Sequence, residues 1–419
     1  MNGTVMPGWE PERMAKVKEL RYVCNITGEG ITTDWDVYGT DLGIPVWSEA
    51  QKKMYFLFGD TFGAGNPDDP SKGKNWRGTI AGYTSDLDFT NGIKWEGFLD
   101  DANGDARQLV PAHYTPNDAK IERTKICQGG IEVNGALYFF YESIRYWGPH
   151  ASGIWFLNFG GTIKSTDGGK TFSKLYDLTW IEPTDEEGIK VARDLTLEDM
   201  SFVPARGVEF DAKAHVAPGF GQMYATDGKD GYIYVYGRPG GRKKGIKVGR
   251  VKKENIESFA AYEYLTEFDG DKAVWKPFRE GLDAIIANPE KADVIPAPTS
   301  NMSVQYNEYL GKWMLIYFYP GGEGSYFEAD EKPCGIYYSL ADTPYGPFTT
   351  PELVLPYDHP ELTRELPGTI NKNGLYGGFT HEKMYREGGK IVPIIISQWH
   401  DRVGLPRIYG SRLFEIEFE

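Results

Sequence analysis

A short apolar run recurs five times along the chain and limits the folds open to it. Each run follows a polar turn and an earlier apolar segment, as the second strand of a β-hairpin does. Its nearly continuous hydrophobicity indicates a strand that is covered on both faces. The runs are MYFLF at 54–58, LYFFY at 137–141, YIYVY at 232–236, WMLIY at 313–317 and IVPII at 391–395.

Each run belongs to a unit of about four strands. Five such units, at intervals suited to propeller blades with long loops, predict an all-β fold: a five-bladed β-propeller with four-stranded antiparallel blades. A β-sandwich or a right-handed β-helix is the alternative, although no short fixed repeat supports the helix. The chain is expected to form a single domain over residues 1–419, with blades at about 22–110, 120–178, 198–275, 298–356 and 370–419.

Three other segments carry structural expectations. Residues 412–418 alternate like an edge strand, so the N-terminal stretch is expected to pair with the last blade and close the ring. The acidic segment 177–199 is interpreted as a solvated loop, and 278–292 as one short helix between blades.

Residues 165–172 match the Asp-box pattern Ser-x-Asp-x-Gly-x-Thr-aromatic of sialidase-like propellers. Asp167 is expected to accept backbone N–H bonds across the turn, and Gly169 to supply a positive φ. Such turns lie at the blade periphery, so the motif is interpreted as structural.

Charge and cysteine content limit the partners. A formal net charge of −15 argues against nucleic acid or an anionic membrane, whereas a neutral polysaccharide is compatible with it. Cys24, Cys127 and Cys334 indicate neither a disulfide framework nor a zinc site. The first twenty residues contain no apolar signal-peptide segment. We therefore expect a secreted or periplasmic protein whose export signal is missing from this sequence, or otherwise a cytoplasmic one.

The hairpin formed by residues 42–47 and 54–58 places Asp41 and Asp60 at one rim, each next to or near a glycine. Two carboxylates at one rim are the minimum apparatus for hydrolysing a glycosidic bond, so both residues are candidate catalytic groups. The alternative is structural: Asp60 caps a turn and Asp41 opens a strand.

In a closed propeller, the starts of the first strands and the ends of the second strands meet at one mouth. That mouth is expected to bind sugar, because it collects carboxylates, amides, an arginine and aromatic rings. Two histidines without a clear third partner do not predict a metal site, and no cofactor is expected, with a structural calcium ion as the open alternative. The basic segment 237–247 is interpreted as an ordinary turn. The candidate substrate-binding residues are Asp34, Asp36, Gln128, Glu142, Arg238, Asn301, Ser303, Tyr319, His381, Gln398, Trp399 and His400, with Thr380 and Glu382 beside them.

Two blocks of sequence resemble a known family. GTDLG at 39–43 followed by LFGDTF at 57–62, and NMSVQYN at 301–307 followed by GKW at 311–313, resemble the domain-of-unknown-function family 4185. This resemblance extends over about residues 20–418. It implies a five-bladed propeller and kinship with glycoside hydrolase family 183, whose endo-D-arabinofuranases cut the D-arabinan of mycobacterial arabinogalactan and lipoarabinomannan. It also implies that Asp41 and Asp60 correspond to the family's two carboxylates in the first hairpin.

The favoured interpretation is therefore an endo-α-D-arabinofuranase that acts through a carboxylate pair. Inversion is favoured, with the two carboxyl groups roughly 6.5–9.5 Å apart. A glycosidase for another glycan, or a non-catalytic carbohydrate-binding propeller, remains the alternative. A lectin has no need for a close acidic pair.

Overall fold

The structure is a computed structural model that describes residues 16–65, 69–149, 153–198, 210–321, 333–363, 374–400 and 407–419. Strands dominate it, and the longer helices are few. In chain order the elements are β1 (Val17–Asn25), β2 (Leu42–Ser48), β3 (Lys53–Phe58), β4 (Ile80–Thr84), β5 (Gly97–Phe98), β6 (Thr124–Val133), β7 (Ala136–Trp147), β8 (Trp155–Ser165), β9 (Ser173–Ile181), α1 (Glu186–Glu198), β10 (Gln222–Asp227), β11 (Tyr232–Arg238), β12 (Lys244–Lys252), β13 (Glu263–Asp269), β14 (Lys272–Pro277), α2 (Phe278–Ala287), β15 (Ile295–Thr299), β16 (Met302–Asn307), β17 (Lys312–Tyr319), β18 (Gly335–Ala341), β19 (Glu352–Pro356), α3 (Pro360–Thr363), β20 (Leu375–Phe379), β21 (Ile391–His400) and β22 (Ile408–Phe418).

These strands form five antiparallel sheets, which are the blades of a β-propeller, as predicted. Four sheets have four strands, in the orders β2-β3-β4-β5, β6-β7-β8-β9, β16-β17-β18-β19 and β20-β21-β22-β1. The third is larger, with the order β10-β11-β12-β13-β14 and β15 paired to β12. The first strands β2, β6, β10, β16 and β20 contact one another in a closed ring around the central channel.

The apolar runs occupy the second strand of each blade. In β3, all residues after Lys53 are buried, because neighbouring blades cover both faces of the strand. The hairpin register pairs Leu42 with Phe58 and Ser48 with Lys53. The turn between β2 and β3 therefore lies at one end of the channel, and Asp41 and Asp60 lie at the other.

The N-terminal strand closes the ring. β1 pairs with β22, with Val17 opposite Phe418 and Leu20 opposite Ile416. The expected pairing of the N-terminal stretch with the last blade is confirmed. Residues 22–25, which the sequence interpretation placed in the first blade, consequently belong to the fifth.

Two segments outside the blades are helical. α2 occupies most of the segment expected to be a short helix. The interpretation of 177–199 as a solvated loop is wrong, because α1 forms within it. Asp185 accepts a hydrogen bond from the Gly188 N–H at 2.8 Å, and Ala192 and Leu195 are buried. The acidic residues concealed this amphipathic pattern. Within the described ranges, no helix is long and apolar enough to cross a membrane.

The Asp-box turn has the expected hydrogen bonds. The Thr171 N–H donates to Asp167 Oδ1 at 2.9 Å, and the Thr171 hydroxyl donates to Oδ2 at 2.6 Å. Gly169 has a φ of 89°, and the Phe172 ring lies 5.3 Å from that of Phe139. Hydrogen bonds from Thr171 are the main reason that the pKa of Asp167 falls to about 2.

Replacing Asp167 by alanine is expected to lower the free energy of unfolding by about 1–2 kcal/mol, because the hydrogen bonds of the turn are lost. Denaturant unfolding measures the change, and Asp167→Asn, which keeps one acceptor oxygen, should lose less. Turnover per folded molecule should not change. A large loss of activity in fully folded Asp167→Ala protein would contradict a structural role.

Candidate active site

The first hairpin holds Asp41 and Asp60 side by side. Gly59, the residue before Asp60, donates its N–H to the Asp41 carbonyl oxygen at 3.1 Å. A Cβ atom on Gly59 would overlap Asp41 Oδ1, so this position requires glycine. Leu42, directly after Asp41, has a left-handed φ of 67°, and a register shift follows it. Strained backbone of this kind is concentrated at functional sites.

Asp41 is held by groups from the fifth and third blades. The Tyr376 hydroxyl donates to Oδ2 at 2.7 Å, while Oδ1 is buried and accepts no hydrogen bond from a described residue. Burial raises the pKa of Asp41 to about 6, and the hydroxyl groups of Tyr376 and Tyr409 and the charge of Arg242 limit this rise. Asp41 is therefore largely ionised at neutral pH.

Asp41, Asp60 and Glu142 form a cluster of three carboxyl groups, and Asp60 has the highest pKa of them. The Trp76 indole N–H donates to its Oδ1 at 2.9 Å. Burial and the neighbouring charge of Asp41 raise the pKa of Asp60 to about 8, against the opposing effects of Trp76 and Arg123. Asp60 is therefore mostly protonated at neutral pH. Because Oδ1 accepts the indole N–H, we place the proton on Oδ2.

Glu142 is the third carboxyl group and lies deeper. It is 1% exposed, and burial raises its pKa to about 7. Gln128 Nε2 donates to Oε1 at 2.8 Å, and the Trp155 indole N–H donates to Oε2 at 3.0 Å. Asn301 Nδ2 in turn donates to Gln128 Oε1 at 3.2 Å. The structure thus brings together three of the candidate residues, Glu142, Gln128 and Asn301, and the charge of Glu142 further raises the pKa of Asp60.

Two arginines lie beside this cluster. Arg238 is buried and donates to Gln222 Oε1 at 2.7 Å, and burial lowers its pKa to about 9. Arg242 lies 4.7 Å from the centre of the Tyr376 ring and 5.4 Å from that of Trp155. The interpretation of 237–247 as an ordinary turn missed Arg242. Arg242 follows shortly after the end of β11, which lies at the mouth, and this position could have identified it from the sequence.

Aromatic rings form two groups around the carboxyl groups. The first is a row of four rings that runs from Asp41 past Asp60. Its centroid separations are 5.9 Å between Tyr409 and Phe62, 6.3 Å between Phe62 and Trp76, and 5.0 Å between Trp76 and Tyr114. In the second, the rings of Trp147 and Trp155 lie 5.7 Å apart, and the Arg242 guanidinium group lies against both Trp155 and Tyr376. The sequence interpretation named none of these rings as site residues, because their closeness to the carboxyl groups depends on how loops and blades pack around the mouth. The first row consists of Tyr409, Phe62, Trp76 and Tyr114.

Asp34 and Asp36 lie outside the cluster of carboxyl groups. Asp36 accepts hydrogen bonds from the Ala64 N–H at 2.9 Å and from Asn75 Nδ2 at 2.8 Å. It therefore braces the loop that follows Asp60. Asp34 is exposed on a short 3-10 turn, away from the buried groups that surround Asp41 and Asp60.

Several other candidates are buried in the walls of the channel. Ser303 Oγ accepts the Thr380 N–H at 3.0 Å and joins the fourth blade to the fifth. Gln398 Nε2 donates to the Leu362 carbonyl at 2.9 Å and holds α3 in place. Tyr319 is buried, with its ring 5.7 Å from that of Tyr337. Trp399 is partly buried, and the side chain of His400 lies outside the described residues.

The placement of His381, with Thr380 and Glu382, at this mouth is wrong. β20 begins at the mouth that holds Asp41, where its second residue, Tyr376, bonds to that carboxylate. The strand then runs through the channel, so the residues after it emerge at the opposite mouth. There His381 lines a cavity of about 190 Å³ together with Trp47, Glu132 and Asp227. Burial lowers the pKa of His381 to about 3. Across the described part of the chain, no group of three or more His, Cys, Asp or Glu side chains is arranged to hold a metal ion.

Nearly the whole chain matches one protein family. The profile of a domain of unknown function, DUF4185, matches residues 27–415. The chain belongs to the DUF4185 family. No curated protein matches this DUF4185 chain.

Solved structures show a similar fold. A Bacteroides ovatus protein, provisionally described as a hydrolase, is 14% identical with a TM-score of 0.53, over 91% of this chain and 86% of that one. A xylan β-1,4-xylosidase from Bacillus halodurans is 10% identical with a TM-score of 0.44, over 91% of this chain and 53% of that one. An exo-β-1,3-galactanase from Phanerochaete chrysosporium is 8% identical with a TM-score of 0.46, over 95% of this chain and 64% of that one. At 14% identity the likeness to the Bacteroides ovatus protein concerns the fold alone.

Proposed function

We propose that this DUF4185 protein is a glycoside hydrolase that cleaves a furanoside polysaccharide, with endo-α-D-arabinofuranase action on mycobacterial-type D-arabinan as the favoured activity. The observation that carries the proposal is the coupled pair Asp41–Asp60, whose pKa values are about 6 and 8, in a mouth lined with aromatic rings. The choice of D-arabinan rests on the resemblance to glycoside hydrolase family 183. The description of the Bacteroides ovatus protein as a hydrolase agrees with the reaction type.

The two pKa values favour a division of roles between Asp41 and Asp60. Hydrolysis needs one protonated carboxyl group for the leaving oxygen and one ionised carboxylate that activates water or attacks carbon. Asp60, mostly protonated at pH 7, is the general acid and donates its proton from Oδ2. Asp41, mostly ionised, is the base, and Tyr376 orients it through the bond to Oδ2. Environments that move two carboxyl pKa values apart are a common way of dividing these roles.

Glu142 acts through its charge. Its two oxygens accept hydrogen bonds from Gln128 and Trp155, so the side chain has a fixed position below the pair. When it is ionised, it disfavours ionisation of Asp60 and keeps the acid protonated. We treat Glu142 as a positioning and electrostatic group, because it is buried.

The direct test is incubation with mycobacterial arabinan and with a panel of plant arabinans, followed by separation of the oligosaccharides released. Release of oligosaccharides of mixed length from the D-arabinan alone would support the favoured activity. Binding without cleavage of any glycan would sink the enzymatic proposal and leave a carbohydrate-binding propeller. NMR of the anomer formed first tests the stereochemistry, for which we expect inversion. A retained anomer would contradict that expectation.

The pH dependence of kcat/KM is expected to be bell-shaped. Below about pH 6 the rate falls because Asp41 becomes protonated, and above about pH 8 it falls because Asp60 loses its proton. Initial rates on soluble arabinan between pH 4 and 10, roughly the span of those ionisations, give the profile. A flat profile across pH 5–9 would contradict the assignment of the two roles.

A further inference from the structure

Arg123 stands out because its side chain has few protein partners. The guanidinium group lies 4.8 Å from the centre of the Trp76 ring, and Nη1 donates a long 3.3 Å hydrogen bond to the Thr115 carbonyl. No carboxylate of the described residues lies within ion-pair distance of Arg123. Arg238, by contrast, donates to one side-chain and two backbone oxygens. A guanidinium group has five N–H donors, so most of those on Arg123 have no acceptor among the described residues.

These donors lie beside the acid of the reaction. The indole ring under Arg123 donates its N–H to Asp60, and the Tyr114 ring lies 5.0 Å from the same indole. Tyr114 has a left-handed φ of 53°, a strained conformation for a residue other than glycine. Strain of this kind persists where the surrounding structure imposes it, often around a ligand.

The loop that carries Arg123 is firmly anchored. Thr115 and Glu122 exchange hydrogen bonds, with the Thr115 N–H on the Glu122 carbonyl at 2.8 Å. The Glu122 carboxylate is buried and accepts bonds from the Ser143 hydroxyl at 2.6 Å and the His113 N–H at 3.0 Å. The Arg123 N–H itself donates to the Ile144 carbonyl at 2.6 Å. The guanidinium group is thus presented from a preorganised loop, as a binding group should be.

We propose that Arg123 binds hydroxyl oxygens of the sugar residue that departs when Asp60 donates its proton, and that it thereby forms part of the binding site for a hydroxyl-rich sugar on the leaving-group side. This inference rests on the proposed function and deepens it. Trp76 holds both partners: its N–H fixes Asp60, and its ring supports Arg123. The departing sugar therefore meets the acid and, beside it, a guanidinium group whose donors are mostly unpaired among the described residues.

The test measures binding in protein whose turnover is strongly reduced. In an Asp60→Asn background, isothermal titration calorimetry with a linear α-linked D-arabinofuranose oligosaccharide compares Arg123→Met and Arg123→Lys with the parent. Arg123→Met should weaken binding by about tenfold or more, because charge-assisted hydrogen bonds are lost. Arg123→Lys, which keeps the charge without the planar fork, should lie between the two. The matched control is Arg193→Met, which replaces a partly exposed arginine of α1, and this variant should bind like the parent.

The outcomes separate the two proposals. Equal affinity in the Arg123→Met protein overturns the assignment, because a group that only adjusts the acid would not change binding when Asp60 is already neutral. If Arg123→Met does not fold, equal affinity of Arg123→Lys and the parent overturns it instead. Cleavage of the D-arabinan by the unmodified protein is measured in parallel. Its absence sinks the proposed function, whereas cleavage with unchanged binding in the variant removes only the role of Arg123.

Discussion

Asparagine in place of Asp41 or Asp60 is expected to lower kcat/KM on the polysaccharide by at least ~10²-fold while the propeller stays folded. A side-chain amide at position 60 could not donate the proton, and one at position 41 could not activate water or attack carbon. Steady-state rates on soluble arabinan measure the loss, and Asp271→Asn, on an exposed turn, is the matched control. The alternative that both aspartates only brace the hairpin predicts variants that lose stability and activity in proportion.

Stability gives an independent readout on the same variants. Both carboxyl groups have folded-state pKa values above their ordinary range, so the folded protein disfavours the ionised form. This cost begins as the pH rises past the unfolded pKa of about 4 and is complete above the folded value. Asparagine carries no charge at any of these pH values, so the cost disappears. The Tm of Asp60→Asn at pH 8 should therefore equal or exceed that of the parent, and a marked fall would favour the bracing role.

Alanine at Gly59 is the second large effect that we expect. Its Cβ would overlap Asp41 Oδ1, so the carboxylate of Asp41 must move away from its bond with Tyr376. Displacement of a reacting group by about 1 Å can cost on the order of 10²-fold in rate, and we expect a loss of that size in kcat/KM. The reason is geometric, since Gly59 does not have the left-handed φ that would itself exclude alanine.

A matched glycine separates this effect from a general loss of backbone freedom. Gly410 also lacks a left-handed φ, and a Cβ there would meet Thr27 Oγ1 at an ordinary 3.4 Å. Gly410→Ala should therefore keep most of its activity in the same assay. Full activity of Gly59→Ala would contradict the close packing of Asp41 and the role that we give to this carboxylate.

The sequence alone determined the architecture and the position of the acidic pair. Continuous apolar runs such as 54–58 report a strand covered on both faces, because burial on both sides leaves no place for alternating polar residues. Five such runs within hairpins are enough to predict five blades. Asp41 and Asp60 could also be paired from sequence, because an antiparallel hairpin places its two outer ends side by side.

Only the tertiary structure decided what surrounds the pair. Trp76, Arg123, Arg242, Tyr376 and Tyr409 come from different blades and loops, and their contacts with Asp41 and Asp60 depend on how the ring closes. The position of His381 could not be predicted from sequence for the same reason. The direction of β20 through the channel determines the mouth at which His381 lies. Local patterns fix strands because they reflect burial by near neighbours. The pKa values of a site depend on desolvation and charge summed over groups that are far apart in sequence.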